Sequence, residues 1–343
     1  MTVRVAINGF GRIGRTILRS IIEEGRDDVE VVAINGTAPV ETLAHLLRYD
    51  SVHGRFRGDV SIGSDFIDAG RGPMKITATR DPRELPWGEM DVDIALECTG
   101  AFNDRDKAAA HFEGGSKRVL VSSPAKNADL TVVYGVNHDA LTADHHVVSN
   151  ASCTTNCLAP MARVLQENIG IDQGFMTTIH SYTTDQRLLD NSHKDLYRAR
   201  SAAMSLVPTT TGAAKAVGIV LPELAGKLDG VAMRVPTPNV SVVDLKFMPS
   251  RPTNAKEINS IMKAAAEGNL KGILGYTYEK LVSSDFIHDP HSSIFHAEQT
   301  KVMEGGLCRV MAWYDNEWGF SCRMVDTACL LYTSDAADDL VGV

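Results

Sequence analysis

Neither a surplus of positive charge, nor a membrane-length apolar run, nor a dense cysteine pattern is present in this chain of 343 residues, and each absence removes a class of function. Lysine and arginine number 34 against 43 aspartates and glutamates, a net charge of −9, so no global basic excess draws the chain to nucleic acid or an anionic membrane. An anionic ligand must therefore meet a local positive site. No uncharged apolar stretch approaches a membrane span, and the N-terminus, MTVRVAINGF, enters strand-like alternation without a charged n-region and long apolar h-region. A cytoplasmic protein without a membrane partner is expected. Six cysteines, at 98, 153, 157, 308, 322 and 329, are too sparse for a disulfide framework. Their one close pair is C-x-x-x-C with no C-x-x-C or H-x-x-x-H companion, so no metal site is expected.

What is present is an ordinary globular composition, 44% hydrophobic and 22% charged, in a chain long enough for two domains. Val3 to Asn8 is apolar and β-branched, Arg12 to Glu24 has helical spacing and Val29 to Ile34 is again strand-like, which makes a βαβ unit. Further short apolar runs, VDIALECTG, KRVLVSS and LTVVYGV, alternate with polar or helical segments up to Asn150. Such runs predict a parallel sheet covered on both faces. Beyond Cys153, a helix over about 158–167 precedes longer strands in FMTTIHSYT, DGVAMRVPT, VSVVDLKFM and LCRVMAWYD, which predict a mixed or antiparallel sheet. No internal repeat or low-complexity linker separates the halves.

Within NGFGRIG, Gly9, Gly11 and Gly14 have G-x-G-x-x-G spacing between a strand and a helix. Glycine there permits a tight turn and close approach of backbone to pyrophosphate, while free N–H groups and the helix dipole favour negative charge. The spacing alone also suits an ordinary glycine-rich turn; its place in a complete βαβ unit favours dinucleotide binding. The second strand ends in INGTAP, with no carboxylate where one would grip the adenosine ribose.

SNASCTTNC sets Cys153 among hydroxyl and amide side chains just before a helical run, near the positive end of a helix. His180 closes the apolar strand GFMTTIH. The two suit an activated nucleophile and its base, and equally a buried core thiol and a satisfied strand-end histidine.

NGFGRIGR, LAHLLRYDSVHGRF, SNASCTTNCLAP, HSYTTDQ, PTTTGAAKAV, MRVPTPNVSVVDL and WYDNEWGFSCRMVD together resemble the phosphorylating glyceraldehyde-3-phosphate dehydrogenase family, in order, from Val3 to about Ala328. The resemblance implies an α/β fold: a Rossmann dinucleotide-binding domain over 1–152, an α+β catalytic domain with a mixed or antiparallel sheet over 153–316, and a C-terminal helix, about 317–332, returning to the first domain. It implies a homotetramer that oxidises D-glyceraldehyde 3-phosphate with NAD(P) and inorganic phosphate. Cys153 would be the nucleophile and His180 the base and imidazolium partner, with Cys157 an inner, structural cysteine. Gly9, Gly11, Arg12, Ile13 and Gly14 would lie along the pyrophosphate, Ser122 and Asn316 near the nicotinamide, and Arg80 near the adenine. Thr183 and Arg234 would hold the substrate phosphate, and Ser152, Thr154, Arg198, Thr211 and Gly212 would line the site of attacking phosphate.

Two places depart from the usual glycolytic pattern. Gly36, followed by Thr37, replaces a common aspartate, and Asn191-Ser192 replaces a common Leu-Pro pair. Glycine removes a charge that would repel a 2′-phosphate, and Thr37, Ser192 and Arg80 can donate to one, so NADP preference or dual specificity is expected; Asn35 or the backbone could still serve NAD. From Cys329 the chain no longer resembles the family. CLLYTSDAADD is similar to a translated sequencing adapter, into which the helix continues one turn past Cys329, to about 332, and 333–343 reads as an artefactual tail whose Asp-rich end frays. SSDFIHDPHS and DNEWGF have some likeness to erythrose-4-phosphate dehydrogenases, but HSYTTDQ and PTTTG keep the phosphate-site pattern of the glyceraldehyde enzymes. A non-catalytic binding or regulatory protein on the same fold is the third reading, disfavoured by the intact Cys153, His180, Arg198 and Arg234.

Overall fold

The computed structural model describes residues 2–338, which divide into two compact units. The first comprises residues up to Val132, His138–Ala151 and the C-terminal segment from Ser321; the second comprises Val133–Asn137 and Ser152–Phe320. The part of the expected tail beyond residue 338 lies outside the described residues.

In the first unit, β1 (Val3–Asn8), α1 (Arg12–Glu23) and β2 (Val29–Asn35) form the expected βαβ unit. After α2 (Val40–Arg48), a two-stranded ribbon of β3 (Tyr49–Asp50) and β4 (Gly54–Arg55) precedes β5 (Ser61–Ile62), β6 (Phe66–Asp68) and β7 (Pro73–Thr77). Then come β8 (Ile94–Glu97), the short helices α3 (Arg105–Ala108) and α4 (Ala110–Glu113), β9 (Arg118–Val121), β10 (Leu130–Thr131) and β11 (Val147–Ser149). The sheet order is β10-β11-β9-β8-β1-β2-β7-β6-β5, parallel except for the β5–β6–β7 meander. Every residue of β8 and β9 is buried, the mark of central parallel strands covered on both faces. The carboxy ends of β1, β2, β7 and β8 therefore converge on one edge, where ligand-bearing turns gather in folds of this kind.

The second unit contains α5 (Cys153–Asn168), β12 (Ile171–Ser181), β13 (Val207–Thr210), α6 (Ala213–Val220), β14 (Leu228–Val235), β15 (Ser241–Pro249), α7 (Ala255–Glu267), β16 (Leu274–Thr277), β17 (Ser293–His296), β18 (Lys301–Val302) and β19 (Cys308–Tyr314). Its sheet runs β13-β14-β12-β15-β19-β17-β16, with β18 beside β19, and is mixed: β12 pairs in parallel with β14 and antiparallel with β15. The expected helix begins earlier than its apolar spacing indicates, at Cys153 rather than about residue 158. Ser152 caps it, its Oγ accepting from the Thr155 N–H at 3.1 Å.

The last helix, α8 (Trp318–Asp338), lies from Ser321 onward in the first unit. Thr16 Oγ1 meets Ser321 Oγ at 2.7 Å, and Thr327 Oγ1 donates to Asn150 Oδ1 at 2.9 Å. Within the segment expected to be foreign, Leu331 is fully buried and its carbonyl accepts from Arg118. These anchors extend the helix to Asp338, further than the single turn expected after Cys329. Burial of a leucine side chain contributes about 1.5–3 kcal/mol, enough to hold a terminal turn in place.

Candidate active site

Parallel pairing of β12 with β14 aligns His180 with Arg234 and Ser181 with Val235. His180 is 4% exposed, and its Nε2 lies 3.5 Å from Cys153 Sγ on the first turn of α5. His180 Nδ1 is 2.7 Å from the Ser181 carbonyl, which also accepts from Arg234 Nη1 at 2.9 Å. Protonated there, Nδ1 bonds Ser181 and leaves the Nε2 lone pair facing the sulfur, the tautomer a general base needs. Arg234 Nη1 also stands 2.8 Å from Nδ1, but a guanidinium can only donate, so in that tautomer the two meet N–H to N–H and the hydrogen bond from Nη1 goes to the Ser181 carbonyl.

These neighbours alter the expected thiolate–imidazolium pair. Burial, then the charge of Arg234, push the His180 imidazolium down to about 3, outweighing the Ser181 carbonyl. Burial raises the Cys153 thiol, while Arg234 and hydrogen bonds at Thr154 act against that rise. In this arrangement the cation that favours a Cys153 thiolate is Arg234, and His180 is neutral, in the form that accepts a proton. Arg234 is itself largely buried, its charge disfavoured chiefly by burial, and its Nε has no hydrogen-bond partner. A buried guanidinium with an unfilled donor fits an anionic ligand.

Tyr314, at the end of β19, was not picked out from the motifs. Its hydroxyl is 2.9 Å from Thr154 Oγ1 and 2.8 Å from Thr178 Oγ1, tying the first turn of α5 to β12, while its ring meets His180 edge-on at 5.9 Å. Asn316 Oδ1 accepts from Ser181 Oγ at 2.9 Å and Ser241 Oγ at 2.8 Å, which leaves its amide as the available donor. Cys157 is fully buried and raised by burial, as suits a packing residue.

Arg198 does not stand open to solvent ligands. Its Nη1 donates to Asp185 Oδ2 at 2.6 Å and its Nε to Thr209 Oγ1 at 3.1 Å, with Asp195 at 3.6 Å. Burial opposes the charge of Asp185, but Arg198 and then His193 keep its carboxyl below the usual range. Asp185 is the second partner that motif reading missed. Thr211 and Gly212 lead into α6, Gly212 as N-cap and Thr211 Oγ1 accepting from the Ala213 N–H at 3.2 Å. Thr183 follows β12, its carbonyl accepting from the Gln186 N–H at 3.0 Å.

In the first unit a cleft of about 410 Å³ opens over the edge of the sheet, lined among others by Gly9, Gly11, Gly36, Thr37 and Arg80. Gly9 has φ +97°, and a Cβ there would come within 2.7 Å of the Thr99 nitrogen; a Cβ on Gly14 would meet the Gly9 carbonyl at 2.2 Å. Gly11 faces open space, and α1 starts from it without a side-chain cap. A turn closed to side chains beneath uncapped helical N–H groups fits a pyrophosphate. Ile13 lies in the first turn of α1, but the Arg12 guanidinium turns to Asp50, with Nη2 donating at 3.1 Å. Despite burial, Arg12 and the His53 and Val52 amides lower the Asp50 carboxyl to about 2. The Arg12 side chain is thus shared with Asp50. Ser122, just after β9, donates its N–H to the Glu97 carbonyl at 3.0 Å and is not among the residues lining the cleft. Ser192 is exposed in the second unit, in the loop after β12, and is not among the residues lining the cleft.

Residues 3–105 match the family described as glyceraldehyde 3-phosphate dehydrogenase, NAD binding domain, and residues 152–316 match its C-terminal domain. Over 328 residues, 96% of this chain, it is 69% identical to a glyceraldehyde-3-phosphate dehydrogenase of Xanthobacter flavus and 67% identical to that of Cereibacter sphaeroides, covering 98% of each. The chain belongs to the glyceraldehyde-3-phosphate dehydrogenase family. The enzyme of the same name from Geobacillus stearothermophilus is 55% identical over 332 residues. The α/β architecture with a nucleotide-binding first unit is thus that of the family, and the chain is an NAD(P)-binding oxidoreductase. Among the described residues no cluster of histidine, cysteine or carboxylates could hold a metal ion, and no helix is long and apolar enough to cross a membrane.

All six cysteines are free. Cys157, Cys308 and Cys322 are buried, burial and Glu97 raise Cys98, and burial and Asp28 raise Cys329 to about 12. Limiting iodoacetamide should therefore modify Cys153 first, since it stands at a helix N-terminus beside a guanidinium and a neutral imidazole, whereas Cys329, although partly exposed and 3.5 Å from the Arg26 guanidinium, is raised by burial and by its hydrogen bond to Asp28. Peptide mapping reads the order; earlier labelling of Cys98 or Cys329 would sink the assignment.

Proposed function

We propose that the enzyme oxidises D-glyceraldehyde 3-phosphate with uptake of inorganic phosphate to give 1,3-bisphosphoglycerate. The contact between Cys153 Sγ and His180 Nε2 carries this reading. Cys153 gives its thiol proton to His180 Nε2 as the sulfur adds to the aldehyde carbonyl, the imidazolium returns that proton to the oxyanion so formed, and the thiohemiacetal hydroxyl gives it up to Nε2 again as hydride leaves the carbon. A bound dinucleotide supplies the hydride acceptor. Cys153 is then held as a thioester, whose carbonyl a phosphate oxygen attacks, and the sulfur departs as thiolate. Arg234 and Thr183 would hold the phosphate of the substrate, and Ser152, Thr154, Arg198, Thr211 and Gly212 the attacking phosphate. Arg198 would exchange Asp185 for that dianion, a charge-assisted replacement that leaves Asp185 its contact with His193.

NADP preference or dual specificity, rather than NAD alone, is supported by the rim of the cleft. Asn35 has no hydrogen-bonding capacity to spare: its Nδ2 donates to Asn8 Oδ1 at 2.7 Å and to the Thr79 carbonyl at 2.9 Å, and its Oδ1 accepts from Thr77 Oγ1 and the Thr79 N–H. That removes the amide expected to serve NAD in place of a carboxylate. Arg80 is exposed and forms no ion pair among the described residues. A homotetramer is supported by the loop after β12, where Leu188, Leu196 and Met204 are 72%, 82% and 81% exposed. Apolar side chains so displayed suit a surface that other copies cover.

Steady-state oxidation of glyceraldehyde 3-phosphate should require inorganic phosphate and exceed that of erythrose 4-phosphate, and Cys153→Ser should fold yet lose turnover by several powers of ten. Substantial activity in that variant would remove the covalent route. Sedimentation equilibrium should give four chains per particle; a monomer at micromolar concentration would end the tetramer proposal. Gly36→Asp should lower the NADP to NAD ratio of kcat/KM by at least about tenfold, since a charged hydrogen bond to the 2′-hydroxyl is worth roughly 1.5–3 kcal/mol and the same charge repels a 2′-phosphate. A Cβ on Gly36 would stand 3.1 Å from Leu43 Cδ1, so Gly36→Ala measures the steric part and should shift the ratio by less than about twofold. Equal shifts in the two variants would refute the electrostatic argument.

A further inference from the structure

Beneath the cleft lies a chain of buried polar groups that the reaction does not use. Trp87 and His111 are fully buried and Glu97 is 1% exposed, and none of the three is among the residues lining the cleft. Trp87 Nε1, which can only donate, lies 3.0 Å from His111 Nδ1, so that nitrogen accepts and the imidazole proton is on Nε2. Nε2–H then donates to Glu97 Oε2 at 3.1 Å, where Asn8 Nδ2 also donates, at 2.5 Å. Glu97 Oε1 accepts from the Thr99 N–H at 2.8 Å and from the Thr99 hydroxyl. Four donors fill the two carboxylate oxygens.

The donors have functional addresses. Asn8 immediately precedes Gly9, and Thr99 is the residue that a Cβ on Gly9 would strike. The carboxylate thus clasps both sides of the glycine turn. Its charge also sets the polarity of everything further along: Asn8 gives its amide to Glu97 and so presents Oδ1 to Asn35, whose own Oδ1 is turned to Thr77 and the Thr79 N–H. The ordered chain crosses the ends of β8, β1, β2 and β7 and finishes one residue from Arg80. Asn8, Asn35, Thr79 and Thr99 all line the cleft.

We propose that Glu97, held by His111 and Trp87, is a positioning residue for the dinucleotide, fixing the glycine turn and the amide orientations of Asn8 and Asn35 without touching the ligand. The proposal rests on dinucleotide binding in this cleft. In Glu97→Gln an amide N–H must face Asn8, Thr99 or His111, each a donor already, so one hydrogen bond becomes a clash of donors at nearly constant volume.

Calorimetric titration of the purified enzyme with NAD and with NADP tests it. Glu97→Gln should raise both dissociation constants by about tenfold or more while the KM values for glyceraldehyde 3-phosphate and phosphate stay within about twofold. Trp87→Phe removes the indole N–H that fixes the His111 tautomer together with part of a buried ring, and should raise both dissociation constants about threefold, although Trp87 is remote from the ligand. Should Glu97→Gln fail to fold, Trp87→Phe decides alone. Variants that melt at lower temperature but bind both dinucleotides as the wild type does would overturn the proposal by reducing these residues to packing. A wild type that binds neither dinucleotide would instead overturn the reading of the cleft.

Discussion

His180 and Arg234 are neighbours because two strands run parallel in one register. Side chains alternate faces along a strand, so a slip of a single residue between β12 and β14 would carry Arg234 to the opposite face and put Val235 beside the imidazole. Much of the second unit's site follows from this pairing. It supplies the positive charge near Cys153, keeps His180 neutral, and makes the Ser181 carbonyl a shared acceptor for both side chains. The antiparallel partner β15 completes the arrangement from the other side. Ser241 Oγ accepts from the Ser181 N–H at 3.0 Å and donates to Asn316, so one strand end is held from both flanks.

The first unit solves a similar problem without a cation. Parallel strands end together, so their last side chains crowd at one edge where backbone groups also need partners. There the chain places Asn8, Asn35, Glu97 and Thr99, each satisfied by another, and buries one carboxylate under four donors rather than pairing it with a cation. A half-satisfied network at that depth would cost more than an apolar core. Completeness is therefore the condition for having polar residues there at all, and it leaves the amides of the glycine turn and the first turn of α1 as the donors for an anion.

What could be read from the chain was what is local. The βαβ unit was legible because strand period, glycine spacing and helix period all fall within Val3–Asn35, and the buried β8 and β9 showed as continuous apolar runs. Helix α5 was dated five residues late because apolar periodicity is blind to a polar first turn. Thr154, Thr155 and Asn156 are buried, but for Thr154 what makes that possible is a tyrosine 160 positions away. Glu97 with Asn8, 89 positions apart, was invisible for the same reason, since neither residue announces a partner. LTVVYGV reads as a strand, yet only Leu130 and Thr131 pair, because Val133–Asn137 joins the second unit. The role of Arg12 as a pyrophosphate neighbour could be inferred from its motif, whereas the claim of Asp50 on its guanidinium could not.

A chain of net charge −9 that handles phosphorylated ligands must keep its cations from being spent on its own carboxylates, and the two arginines of the site meet that demand differently. Arg234 is sheltered by burial: among the described residues only a carbonyl and an imidazole are within hydrogen-bond reach, and its Nε is unfilled. Such a site attracts an anion strongly because desolvation of the cation has already been met by folding. Arg198 is partly exposed and is held by Asp185, so an incoming dianion must compete with a carboxylate already in place. The competition weakens the hold on the ligand and eases its exchange. A substrate phosphate that stays through the whole turnover suits the first arrangement. A phosphate that must arrive, react and leave on the product suits the second, which is why the division of labour proposed for Arg234 and Arg198 follows from their surroundings as well as from their motifs.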